Sequence, residues 1–100
     1  MHYGGYVYIL CSNNQHVLYV GVTSNLRKRI HEHREKHFPK SFTAKYNCNR
    51  LVYYCFFERI DLAIIEEKRI KGGSRKAKID LIDLINPEWR DLWMDVKEWD

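Results

Sequence analysis

Five polar side chains, Tyr8, Tyr19, Arg29, His33 and Glu67, follow one another in an order that can carry proton and phosphate chemistry. Phenols and an imidazole exchange protons. A guanidinium holds a phosphate with a fixed fork of donors and stays charged while negative charge builds in the transition state. A carboxylate on the inward face of a helix needs a partner, and a divalent metal is one such partner. Each residue also has a plainer use. Cross-strand aromatic pairs stabilise hairpins, an arginine beside an apolar stripe snorkels to the surface, and Glu67 can pair with an Arg or Lys such as Arg29.

The elements that must position these groups are legible in the same stretch. Tyr6 to Cys11 and His16 to Val22 are rich in Val, Ile, Leu and Tyr, and Ser12-Asn13-Asn14-Gln15 between them is turn chemistry, so a hairpin is predicted. With those four residues as the loop, Cys11 pairs with His16, Tyr8 with Tyr19 and Tyr6 with Gly21. Paired residues share a face. One face then carries three phenols and a glycine, an open spot where another group can approach. The other carries Val7, Ile9, Leu18, Val20 and Val22, a face suited to a core.

Thr23-Ser24-Asn25 offers caps for a helix from Leu26 to about Lys36, with Leu26, Ile30, His33 and His37 as its stripe. Arg29 lies beside that stripe, four residues before His33, so both reach one edge of the site. Arg27, Lys28 and Arg34 point elsewhere. His31, His33 and His37 have no acidic partner at the spacing of a zinc protease, so a histidine metal site is not predicted.

Phe38 to Arg50 reads as a loop whose basic and aromatic residues can contact nucleic acid or anchor to the core. Leu51 to Phe57 is a continuous apolar run, a buried central or third strand. Asp61 is the expected cap of a helix that ends at Lys71 before Gly72-Gly73, with Ala63, Glu67 and Ile70 on its inner face. Ser74 caps a further helix, with Ile79, Leu81, Ile82 and Ile85 as its apolar face until Asn86-Pro87. Trp89, Leu92 and Trp93 form a C-terminal lid, and Trp99 carries no information. Without a βαβ rhythm, the fold class is α+β: a small three-stranded antiparallel sheet flanked by helices, with a core over residues 4–85 and the lid over 86–100 of a single domain, 1–100.

Of the composition, 45% hydrophobic and 14% aromatic residues argue for one folded domain with a modest core. No apolar run approaches a membrane span and the N-terminus lacks signal-peptide features, so a cytoplasmic protein is expected. Cys11, Cys48 and Cys55 are odd in number and unpaired in spacing, which predicts free thiols. The net charge is +4, and Lys68, Arg69, Lys71, Arg75, Lys76 and Lys78 crowd one segment. Such a patch suits a phosphate backbone; it equally suits a solvated helix end.

A Tyr-bearing strand, a short loop, Tyr19-Val20-Gly21, then Thr23, Arg29, His33 and Glu67 together resemble the GIY-YIG nuclease family over nearly the whole chain. The chain looks most like the small stand-alone bacterial type, similar to the N-terminal nuclease part of the bacterial excinuclease and to the UPF0213 group. Tyr6 stands where the first motif usually has glycine, and Val20 replaces isoleucine. The resemblance implies a divalent-metal-dependent endonuclease acting on DNA, in repair or recombination, with RNA left open as a substrate and no small-molecule cofactor. It implies that Tyr8 deprotonates water or is assisted by His33, that Tyr19 orients water or phosphate, and that Arg29 stabilises the phosphorane. One Mg²⁺ or Mn²⁺ ion on Glu67 would support the leaving oxygen. Thr23, Lys68, Lys71, Arg75, Lys76 and Lys78 would meet the nucleic acid. Many members also use an asparagine after the glutamate, and Asn86 is the only candidate. Two other readings stay open: a nucleic-acid-binding module that keeps the fold without cleavage, and a partner-binding protein using Trp89, Trp93 and Trp99 as an exposed patch.

Overall fold

A computed structural model describes residues 4–99; Met1, His2, Tyr3 and Asp100, which the expected domain span also included, lie outside the described residues. Strands β1 (Gly5–Ser12), β2 (Leu18–Thr23) and β3 (Cys48–Phe57) form one antiparallel sheet in the order β2-β1-β3. β1 is therefore central, and the apolar run that becomes β3 is an edge strand. Helices α1 (Leu26–Arg34), α2 (Phe42–Lys45), α3 (Ile60–Lys71), α4 (Arg75–Ile85) and α5 (Trp93–Val96) complete the fold.

Both faces of the sheet are covered, which is why β1 is buried almost from end to end. Val7, Ile9, Cys11 and Val20 meet Val52, Tyr53, Ala63, Ile70 and Ile82 beneath α3 and α4. On the opposite face Tyr8 and Leu10 meet Leu26 and Ile30 of α1, Leu51 of β3 and Val96 of α5. The expected apolar face is thus the α3 side, and the phenol face is a second core rather than an open surface.

The hairpin register differs from expectation by two residues. Tyr8 faces Gly21, Leu10 faces Tyr19, Tyr6 faces Thr23 and Cys11 faces Leu18. The cause lies in the loop. Ser12 closes it, donating its N–H to the Val17 carbonyl at 3.0 Å, while its hydroxyl accepts from Val17 N–H at 3.1 Å and donates to Asn14 Oδ1 at 2.6 Å. Gln15 supplies the left-handed residue, with φ 64°. The loop is therefore Asn13 to His16. A slip of two leaves every side chain on its predicted face, because strand side chains alternate with period two.

Other boundaries shift for local reasons. α1 ends at Arg34, and Lys36 turns the chain away with φ 52°, so His37 leaves the stripe and is exposed. The stretch expected to be only a loop contains α2, capped by the Ser41 hydroxyl on Ala44 N–H. Asp61 does not cap α3; Arg59 holds that position without a side-chain bond, and Asp61 sits in the first turn. Ser74 caps α4 as expected. Of the apolar face expected there, Ile82 is buried but Ile85, the last residue of the helix, is 55% exposed.

The C-terminal segment is a lid in which one carboxylate makes three of the ties. Asp91 Oδ1 accepts from the backbone N–H of Leu51 and of Trp93, and Oδ2 takes Arg34 at 3.0 Å. Trp89 packs on the α3 side, and Trp93 and Trp99 on the α1 side. These tryptophans are partly buried packing residues, which removes the basis for an exposed aromatic patch. Trp99 is informative after all: it closes an aromatic cluster with Tyr6 and Tyr54, at ring centroid distances of 5.8 and 5.5 Å. Cys11, Cys48 and Cys55 are free thiols. Among the described residues no helix is long and apolar enough to cross a membrane.

Candidate active site

The site forms where β1, β2, α1 and α2 meet. Tyr8, on the central strand, has no exposed surface. Its hydroxyl lies 3.0 Å from His33 Nε2, at the last turn of α1. His33 Nδ1 lies in turn 2.8 Å from the hydroxyl of Thr43 on α2. The Tyr19 ring packs 6.3 Å from Tyr8 and 5.7 Å from His33, centroid to centroid, and stacks on Phe42 at 6.0 Å.

Gly21 makes this packing possible. A Cβ at Gly21 would collide with the phenol of Tyr8, its cross-strand partner. The open spot predicted beside the phenols exists, and Tyr8 itself occupies it. Tyr6, which replaces the motif glycine, points into Tyr54, Phe56 and Trp99, and its bulk is absorbed by packing away from His33.

The electrostatics follow from burial and from one cation. Burial raises the pKa of Tyr8 above the ordinary phenol range; Tyr19 and Glu67 add to this, and Arg29 opposes it through its charge and a hydrogen bond. Burial, reinforced by Arg29, lowers the pKa of His33 to about 4, with Glu32 acting weakly the other way. At neutral pH the pair is a neutral phenol on a neutral imidazole. Arg29 is 43% exposed and pairs with Glu32 at 3.3 Å, not with Glu67. It lines a polar cleft of about 320 Å³ together with Thr23, Ser24, Asn25, Lys28 and Glu32. Lys28 therefore belongs to this edge, contrary to expectation, whereas Arg27 reaches the Lys97 carbonyl and Arg34 reaches Asp91.

Glu67 lies on the inner side of α3, beyond the buried Ala63 and before the buried Ile70. Its side chain is only 12% exposed, and the carboxylate pairs with Lys71 at 3.3 Å. Its neighbour Glu66 is committed to Arg69, with bonds of 2.6 and 2.7 Å. Lys71 also sits 6.0 Å over the Tyr19 ring, so the end of α3 meets the phenols there.

The other expected contacts divide. Thr23 is 8% exposed, and its hydroxyl is used in the turn into α1, bonded to the backbone of Asn25. Lys68 is exposed on α3. Arg75 donates to the Gln15 carbonyl, Lys76 pairs with Asp80, and Lys78 donates to the Gly73 carbonyl. The basic segment is in good part occupied in holding α4 and the hairpin loop. Asn86 is no part of the site. It is buried and its amide is spent on the carbonyls of Val52 and Arg90 and on the N–H of Arg90.

Sequence reasoning misses Thr43 and Glu32. The local signal for Thr43 is weak: Ser41 three residues before Ala44 is a cap signature, but a one-turn helix has no periodicity to announce it.

The GIY-YIG catalytic domain matches residues 4–80. A UPF0213 protein of Syntrophus aciditrophicus is 36% identical over 84 residues, covering 83% of this chain and 93% of its own length. A UPF0213 protein of Clostridium perfringens is 41% identical over 81 residues, covering 77% of this chain and 81% of its own. The solution structure of a UPF0213 protein from Bacillus halodurans superposes with a TM-score of 0.57 at 27% identity, over 88% of this chain and 92% of that one. With the domain match spanning both strands of the hairpin, α1 and Glu67, this chain belongs to the GIY-YIG family, in its UPF0213 branch.

Proposed function

We propose that the protein hydrolyses phosphodiester bonds in DNA as an endonuclease. The observation that carries this reading is the buried hydrogen bond from Tyr8 to His33 beneath the exposed guanidinium of Arg29. A phenol is a poor base at its ordinary pKa of about 10, and burial makes this one poorer. Burial disfavours the imidazolium as well, so His33 takes the phenolic proton once the negative charge of a bound phosphate stands beside it and favours the cation. The phenolate so formed, stabilised by Arg29, takes a proton from the attacking water. Hydroxide then adds in line to phosphorus, and the P–O bond to the leaving oxygen breaks.

Tyr8 is fully covered in the resting protein, so phosphate reaches it when Arg29 exchanges Glu32 for the substrate. Arg29 is well placed for that exchange, because its pair with Glu32 is partly solvated and worth little. Tyr19, beside the phenol and under Lys71, orients phosphate or water at the rim.

Among the described residues no three His, Cys, Asp or Glu side chains cluster as a ready-made metal site. Glu67 fits the sparser pattern of Mg²⁺ or Mn²⁺, which are often held by one carboxylate, several waters and the substrate's own phosphate oxygens. One such ion at Glu67 would supply charge to the leaving oxygen.

A second reading, a nucleic-acid-binding module without cleavage, is favoured by the burial of Asn86 in structural bonds. Nicking of supercoiled plasmid with Mg²⁺ or Mn²⁺, beside a chelator control and the Glu67→Gln and Tyr8→Phe variants, separates the two. Metal-dependent nicking lost in both folded variants supports the nuclease. Binding with equal inactivity of wild type and variants on duplex, branched and single-stranded DNA supports the binding module.

A further inference from the structure

Thr43 is 2% exposed, and its hydroxyl points at the far nitrogen of the imidazole that touches Tyr8. The neutral imidazole has one N–H and one lone pair, so its two hydroxyl partners cannot be served in the same sense. Which nitrogen carries the proton decides what His33 can do.

The buried phenol settles the direction. A buried O–H without an acceptor is costly, and among the described residues His33 Nε2 is the acceptor the structure gives Tyr8. Arg29, whose charge faces the same phenol, carries only donors and offers the O–H no acceptor, so the proton is left for Nε2. Nε2 is then the bare nitrogen and Nδ1 carries the proton, which it donates to Thr43 Oγ1. The Thr43 hydroxyl is held in turn, 3.3 Å from the Ser41 hydroxyl that caps α2.

We propose that Thr43 is a positioning residue that fixes the Nδ1–H tautomer and ring orientation of His33, so that Nε2 can accept the proton of Tyr8. The inference rests on the nuclease reading for its catalytic consequence, but the tautomer itself can be measured without substrate. It also gives α2 a purpose: one turn of helix, capped by Ser41, carries a hydroxyl to the back of the imidazole.

The test compares wild type with Thr43→Val, which keeps the shape and removes the hydroxyl, and Thr43→Ser, which keeps the hydroxyl. Two-bond ¹⁵N–¹H correlation spectra of the histidine ring, on substrate-free protein near pH 7, read the tautomer. Wild type and Thr43→Ser are expected to show the Nδ1–H form, and Thr43→Val a mixture or the Nε2–H form. The nicking rate is expected to fall about 10- to 100-fold in Thr43→Val, by analogy with other side chains that orient a functional histidine, and to return in Thr43→Ser. An Nε2–H tautomer in wild type overturns the proposal whether or not any variant folds. An unchanged tautomer in folded Thr43→Val overturns it too. A tautomer that follows the hydroxyl in a protein that nicks nothing leaves Thr43 as the orienting group and defeats the nuclease reading alone.

Discussion

Tyr8 lies across Gly21, its hairpin partner, in the space that any side chain at that position would take. The glycine of the second motif thus houses the tyrosine of the first. Gly21→Ala is expected to push the phenol off His33, destabilise the fold by about 1–3 kcal/mol through overpacking, and lower nicking by about 100-fold through misplacement of the reacting group. Chemical denaturation and plasmid nicking measure the two effects. An alanine variant with wild-type activity would mean that Tyr8 works from another position.

His33 should titrate far below a free histidine, because it is buried and faces Arg29. Its folded pKa of about 4 lies below the unfolded value of about 6.5. The unfolded chain therefore binds the proton more readily between those values, and the contribution to stability is fully present above about pH 6.5 and lost as the pH falls towards 4. Urea midpoints over that range should fall more steeply for wild type than for His33→Gln. Arg29→Gln should raise the His33 midpoint seen by NMR; an unmoved midpoint would remove Arg29 from the site.

Lys71 competes for the carboxylate that is assigned to the metal. Its ion pair with Glu67 is partly exposed. Lys71→Gln should therefore lower the half-saturating Mg²⁺ concentration only modestly, by about two- to fivefold. Metal titrations of nicking at constant ionic strength test this. A higher Mg²⁺ requirement in the variant would show that Lys71 assists the ion or the substrate instead of competing.

Asn86 separates structure from catalysis. Asn86→Ala removes three hydrogen bonds that tie the end of α4 to β3 and to the lid. The expected cost is about 2–3 kcal/mol, since the backbone groups left behind are partly buried. Nicking per folded molecule should be unchanged at low temperature. A loss of rate without a loss of stability would bring Asn86 into the site after all.

The sequence alone determined which residues could act and on which face of their elements they stand. Period-two alternation put Tyr6, Tyr8, Tyr19 and Gly21 on one side of the sheet, and that survives a register slip of two. Helical spacing likewise put Leu26, Ile30 and His33 on one stripe and Ala63, Glu67 and Ile70 on another. Strong local signals such as the Ser74 cap were equally legible. What only the structure decided lies first in the detail of one turn, where the Ser12–Val17 closure chose which residue faces Gly21. The rest depends on contacts between segments far apart in the chain. The pairing of β3 with β1 made the phenol strand central and therefore buried. Tyr8 meets His33 across 25 residues, and His33 meets Thr43 on a single turn of helix too short to leave a period in the sequence. Carboxylate partners were settled locally instead: Arg29 took Glu32 and Glu67 took Lys71, because each found its counter-charge one helical turn away on its own helix.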